Sequence, residues 1–110
     1  MKRLTLLLPA AILLSCGPPK PTTPSLSPEQ AAALLQFNNK AQNWIKFVKK
    51  NNAACEYRLD LPDQSSHPTT LDLDHIVQCG GRPSPKEFDA SVSYSYDAGQ
   101  QKWVITRFAS

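Results

Sequence analysis

Cys55-Glu56-Tyr57-Arg58-Leu59-Asp60-Leu61 and, beyond a polar loop holding His67-Pro68, Leu71-Asp72-Leu73-Asp74-His75-Ile76-Val77-Gln78-Cys79 decide the fold class. In both stretches apolar or aromatic residues take every second position with polar ones between them, which is the two-residue period of a half-buried strand. Ile76 is the exception to that alternation. If the two strands form a hairpin with Cys55 opposite Cys79, Tyr57 meets Val77 and Leu61 meets Leu73. One register then serves both the disulfide and the apolar cross-strand pairing. A closed loop of about 25 residues stabilises a small domain by roughly 3 kcal/mol through the entropy it removes from the unfolded chain.

On the N-terminal side of this segment the period changes to that of a helix. Ser27, Pro28 and Gln30 form a Ser-x-x-Gln capping signal with proline at the first helical position. Leu34, Phe37, Ala41, Trp44, Ile45 and Val48 then recur on one helical stripe, with Leu35 and Phe47 beside it. Lys46, Lys49 and Lys50 gather where a helix C-terminus favours cations, and Asn51-Asn52 ends the run. The spacing predicts one long helix over residues 28–50, about 34 Å in length, with a bend or a frayed end.

On the C-terminal side, Gly80-Gly81 reads as a turn that leaves Arg82 exposed. A third strand places Phe88, Ala90, Val92, Tyr94 and Tyr96 on one face and Ser91, Ser93 and Ser95 on the other. Asp97-Ala98-Gly99-Gln100 is a turn signal, and Lys102–Phe108 reads as the closing strand. A turn centred between Ala98 and Gly99 sets Tyr94 against Trp103 and Val92 against Ile105, leaving Val104, Thr106 and Phe108 outward. The expected fold class is α+β: one long N-terminal helix packed on a four-stranded antiparallel sheet in the order αββββ, with one disulfide. At the level of fold alone that order is similar to cystatin-like folds, a likeness that carries little weight for function.

The start of the 110-residue chain has a different character. Lys2 and Arg3 precede an eleven-residue run, Leu4–Leu14, that is apolar apart from Thr5 and Pro9, and then Ser15-Cys16-Gly17. Such a run is about 16 Å long as a helix and cannot cross a hydrocarbon core of roughly 30 Å. A basic start, a short apolar run and a small residue before a processing point are the parts of an export signal. Leu13-Leu14-Ser15-Cys16 resembles the lipobox of bacterial lipoproteins. That resemblance implies cleavage after residue 15 and acylation of Cys16, whose thiol is the nucleophile a thioether to diacylglycerol needs. With more than one acyl chain the anchor is stable. The same resemblance favours the outer membrane, facing the periplasm, because Gly17 stands where an inner-membrane retention aspartate would be.

Residues 1–15 are thus read as a signal peptide and residues 16–27 as an acylated cysteine with a proline-rich linker. Residues 28–110 are read as a small α+β domain. The linker composition, Gly17-Pro18-Pro19-Lys20-Pro21-Thr22-Thr23-Pro24-Ser25-Leu26, favours an extended spacer. The whole chain carries a formal charge of +3, and loss of Lys2 and Arg3 brings it to +1, ten basic residues against nine acidic. That balance and an extracytoplasmic location argue against nucleic acid as a partner.

No catalytic or cofactor motif emerges. Cys55 and Cys79 lack the Cys-x-x-Cys spacing or basic neighbour of a redox pair, so a structural disulfide is expected of them. His67, Asp72, Asp74 and His75 lie close in sequence, but along a strand Asp72 and Asp74 face one way and His75 the other, and no zinc or calcium spacing is matched. No serine sits in a Gly-x-Ser-x-Gly elbow. The expectation is a protein that is not an enzyme and uses neither cofactor nor metal: a non-enzymatic, membrane-anchored module or accessory subunit binding another envelope protein. An inhibitor or exclusion factor acting on a hydrolase or surface receptor is the alternative, and a small hydrolase or metal-binding protein stands behind both. The Ser-rich sheet face, the helix flank, an edge strand, and the loops Asp63–Thr70 and Gly80–Lys86 are the candidate contact surfaces.

Overall fold

The computed structural model describes residues 22–110. Cys16, Gly17 and the segment resembling an export signal lie outside the described residues. The chain is α+β, with two helices, two three-stranded sheets and a Cys55–Cys79 disulfide. This corrects the expectation of one long helix on one four-stranded sheet, and each departure has a local cause.

The helix divides at Phe37-Asn38. Helix α1 spans Pro28–Gln36 and opens with the Ser27/Gln30 capping box. Helix α2 spans Asn39–Asn51 and is capped by Asn38, whose side chain accepts from the Ala41 N–H at 2.9 Å. Gln42 Nε2 reaches back to the Leu35 carbonyl at 3.2 Å, which also accepts from the Asn38 N–H at 3.1 Å, so one carbonyl at the end of α1 ties the two helices across the break. An asparagine side chain that competes for backbone N–H groups ends one helix and starts another. The break moves Phe37 off the apolar stripe, and it is 82% exposed, while Leu35 turns into the core.

Strand β1 is Cys55–Tyr57, β2 is Thr70–Leu73, β3 is Val77–Cys79 and β4 is Arg82–Pro83. A turn of 3-10 helix at Lys86–Phe88 leads into β5, Ser91–Asp97, and β6 is Lys102–Ala109. One sheet has the order β1-β3-β4 and the other β2-β5-β6, and every pairing is antiparallel. Cys55 opposes Cys79 and Tyr57 opposes Val77, as the cysteine register requires. Leu61 and Leu73 do not pair: Leu73 faces Val92 in the other sheet, and Leu61 lies in the connection after β1. The cause is His75, at φ 55°, which breaks what would be a single strand from Leu71 to Cys79. The chain leaves β2 there, buries Ile76 and Val77 in succession, and enters β3 in the other sheet. Ile76, the exception in the alternation, marks the place.

The β3–β4 turn is Gly80-Gly81, both at positive φ, as a two-residue turn between Cys79 and Arg82 demands. The β5–β6 loop is two residues longer than the expected centring implies. Asp97 pairs with Lys102, Gln100 donates its N–H to Asp97 Oδ1 at 3.2 Å, and Gln101 adopts φ 55°. Tyr94 therefore meets Ile105 and Tyr96 meets Trp103. Between the pairs Ser93–Arg107 and Tyr94–Ile105, Thr106 is the extra residue of a β-bulge, which reverses the alternation of all that follows. Phe108 consequently points into the core opposite Val92, correcting its expected outward position.

One cluster of buried side chains joins both sheets to both helices, running from Leu26 through Ile45, Val77 and Tyr94 to Phe108. Each helix is also tied to a sheet by a phenol. Tyr94 donates to the Ala31 carbonyl of α1 at 2.8 Å, and Tyr57 donates to the Ala41 carbonyl of α2. Burial pushes the Tyr94 hydroxyl up to about 12. Burial pushes that of Tyr57 up further, against a partial offset from the Ile45 backbone.

Candidate binding groove

Tyr96 and Trp103 are cross-strand partners at the turn end of β5 and β6, and their rings meet edge to face with centroids 5.7 Å apart. Trp103 presents its indole N–H to the Pro24 carbonyl at 3.1 Å. This contact draws in the segment just before the first helix. Leu26 is only 1% exposed, and Gln64 grips its backbone from both sides: the Leu26 N–H donates to Gln64 Oε1 at 2.7 Å and Gln64 Nε2 donates to the Leu26 carbonyl at 2.9 Å. His67 Nδ1 lies 3.2 Å from the Thr23 carbonyl. Composition alone reads Thr22–Leu26 as spacer, yet here it is a strap laid over the domain.

The loop Asp63–Thr70 is what holds the strap. Asp63 accepts from the Ser65 N–H at 3.0 Å and from its hydroxyl at 2.9 Å. These bonds hold the Asp63 carboxyl below its ordinary range. His67 closes the turn with φ 55° and a backbone bond to Gln64. Between strap and α1 lies a groove of about 340 Å³ walled by Pro24, Leu34, Tyr96 and Trp103, with Gln30 and Lys102 at its rim. A smaller hollow of about 160 Å³ lies between the strap residues Thr22 and Thr23 and the loop residues Ala98 and Gln101, with Tyr96 again in its wall. An aromatic wall with few polar groups suits an apolar side chain or an extended peptide. Ser25, Gln30, Gln101 and Lys102 supply its polar groups, and no carboxylate or imidazole lines it.

The residues singled out from the sequence are placed elsewhere. His75 meets Asp89 through Nδ1 on the surface, whereas His67 meets the Thr23 carbonyl. Asp72 accepts a 2.6 Å bond from Ser93 Oγ on the outer face of the second sheet, where Ser93 is nearly covered. Among the described residues no three His, Cys, Asp or Glu side chains converge as metal ligands. No helix among them is long and apolar enough to cross a membrane. Cys55 and Cys79 are joined. Of the groove residues, Tyr96 and Trp103 are legible as strand aromatics; the bond from Trp103 to Pro24 has no sequence signal beyond Leu26, an apolar residue at the end of a polar linker. Comparison with protein-family models, with curated proteins and with solved structures found no match to this chain.

Proposed function

We propose that this chain is a lipid-anchored protein of the bacterial cell envelope, held through Cys16 and acting as a non-enzymatic module that binds another envelope protein. The carrying observation is the register of Lys2-Arg3, the apolar run Leu4–Leu14 and Leu13-Leu14-Ser15-Cys16. An anchor concentrates a small domain on one surface, so modest contacts suffice for occupancy. The aromatic groove beside the strap supports the binding role, since it offers apolar area with a polar rim. Gly17 favours the outer membrane and a domain in the periplasm. Cross-linking in intact cells with the native anchor in place, read by mass spectrometry, tests the reading. It predicts a mature chain starting at an acylated Cys16 and one dominant protein partner attached near Trp103. An unacylated chain removes the anchor, and a clean monomer removes the adaptor.

A further inference from the structure

Charge is segregated on this domain. Setting aside Lys2, Arg3 and Lys20, nine basic residues face nine acidic ones, so residues 22–110 are formally neutral. Yet the thirteen residues of α2, Asn39–Asn51, hold Lys40, Lys46, Lys49 and Lys50 and no acid. All four lysines are exposed, and among the described residues none lies within ion-pair distance of a carboxylate.

Helix geometry says where they point. Ala41, Ile45 and Val48 face the core, so at 100° per residue the outward direction falls among Asn43, Lys46 and Lys50, with Lys40 and Phe47 on its flank. Phe47 is 51% exposed and stacks on Trp44 with ring centroids 5.2 Å apart. Phe37, the C-cap of α1 just ahead of this helix, is 82% exposed. Lys40 also shares a cleft of about 280 Å³ with Arg107 of β6, which extends the basic surface past the helix. Large aromatics set among unpaired lysines are neither core nor an ordinary solvated face.

We infer that the outer face of α2 is a docking surface for an anionic phospholipid bilayer, with Lys40, Lys46 and Lys50 at the headgroups and Phe37 and Phe47 entering the interface. Charge complementarity argues for this occupant. Lysine amines on long stems suit a diffuse layer of phosphate charge, and exposed phenylalanines suit the boundary between headgroup and acyl chain. The contact would lay the domain against the membrane and leave the Trp103 groove free for a protein.

The test uses residues 16–110 carrying Cys16→Ser, which keep every buried core residue from Leu26 to Phe108 and have no acyl chain, so the anchor reading and this one fail separately. The probes are vesicles of phosphatidylcholine alone and of phosphatidylcholine with one third phosphatidylglycerol. Sedimentation with the anionic vesicles and not the neutral ones, weakened by high salt, is expected. Lys46→Gln with Lys50→Gln should lower the partition roughly thirtyfold, at about one kcal/mol per lysine. Phe47→Ser should lower it with both lysines present. These side chains are exposed, so an unchanged near-ultraviolet dichroism spectrum shows that each variant is folded. Equal binding to both vesicles, no binding to either, or binding indifferent to the lysine pair would overturn the inference. So would capture of an acidic envelope protein by α2 without vesicle binding.

Discussion

The two sheets of this domain are held by different means. In β1-β3-β4 no strand exceeds three residues, and the ladder depends on the Cys55–Cys79 bond at one end and a turn only glycine takes easily at Gly80-Gly81. In β2-β5-β6 the strands run to four, seven and eight residues, and buried Leu71, Leu73, Val92, Tyr94, Trp103 and Phe108 fill one face. Short strands bury too little apolar surface to choose their own register, so covalent and backbone constraints choose it for them. Long strands let packing choose, and then a bulge at Thr106 can invert a face and still leave a filled core.

That contrast breaks most completely at Tyr94. Its ring lies at the centre of the second sheet, fully buried, and its hydroxyl ties α1. Tyr94→Ala leaves a large cavity and an open helix carbonyl together, a loss of about 4 kcal/mol or more. A domain of this size holds little beyond that in reserve, so the variant should lack a cooperative thermal transition. A sharp transition within a few degrees of wild type would mean that packing in the second sheet does not govern the fold.

Next in size is the first sheet's staple. Joining residues 24 apart, the disulfide is worth roughly 3 kcal/mol. Replacing both Cys55 and Cys79 by Ser should lower the urea midpoint accordingly. Amide exchange should quicken first at Arg58 and Gly80, whose N–H groups donate to the Ile76 and Ala54 carbonyls, with β5 and β6 the last to open. Uniform loss of protection across both sheets would make them one cooperative unit and erase the distinction.

How much of this was legible follows the same division. The pairing of Cys55 with Cys79 and of Tyr57 with Val77 was readable because cysteine and periodicity agree there. Trp103 and Ile105 lie on the face that alternation predicts although their partners differ by two residues, since a shift of two preserves the pleat. Phe108 departs from the alternation because a bulge has no reliable residue signature. The helix break was written in Asn38, but an asparagine between apolar repeats reads equally as a solvent-facing position. The groove was hidden for a different reason: Pro24–Trp103 is a contact across most of the domain, and only tertiary structure brings it together.

A third prediction compares the two phenols that tie helices to sheets. Both favour the protonated form in the folded state, so their contribution is whole below pH 10 and is lost as pH rises, through about 12 for Tyr94 and higher for Tyr57. Stability should therefore fall steadily above pH 10. Tyr94→Phe should cost about 1 kcal/mol at neutral pH, the worth of one hydrogen bond, and should make the alkaline fall shallower. An unchanged alkaline limb in that variant would assign the fall to Tyr57 and the first sheet.

The smallest single effect is expected of an asparagine at the joint between the sheets. His75 takes φ 55° where the chain passes from β2 to β3, and its imidazole, largely exposed, meets Asp89. Two accounts of its presence are possible: the ring's bond to Asp89, or the backbone conformation. An exposed pair of this kind is worth 0–1 kcal/mol, whereas a left-handed residue is required for Ile76 and Val77 to be buried in succession. Asparagine tolerates that conformation at least as well as histidine and lacks the ring; valine is disfavoured there by its branched Cβ. His75→Asn should thus stay within about 0.5 kcal/mol of wild type, and His75→Val should lose about 1–2 kcal/mol. Matched losses in the two variants would give the joint to the Asp89 contact. A loss in valine alone gives it to the backbone, and makes the passage between sheets a property of one φ angle.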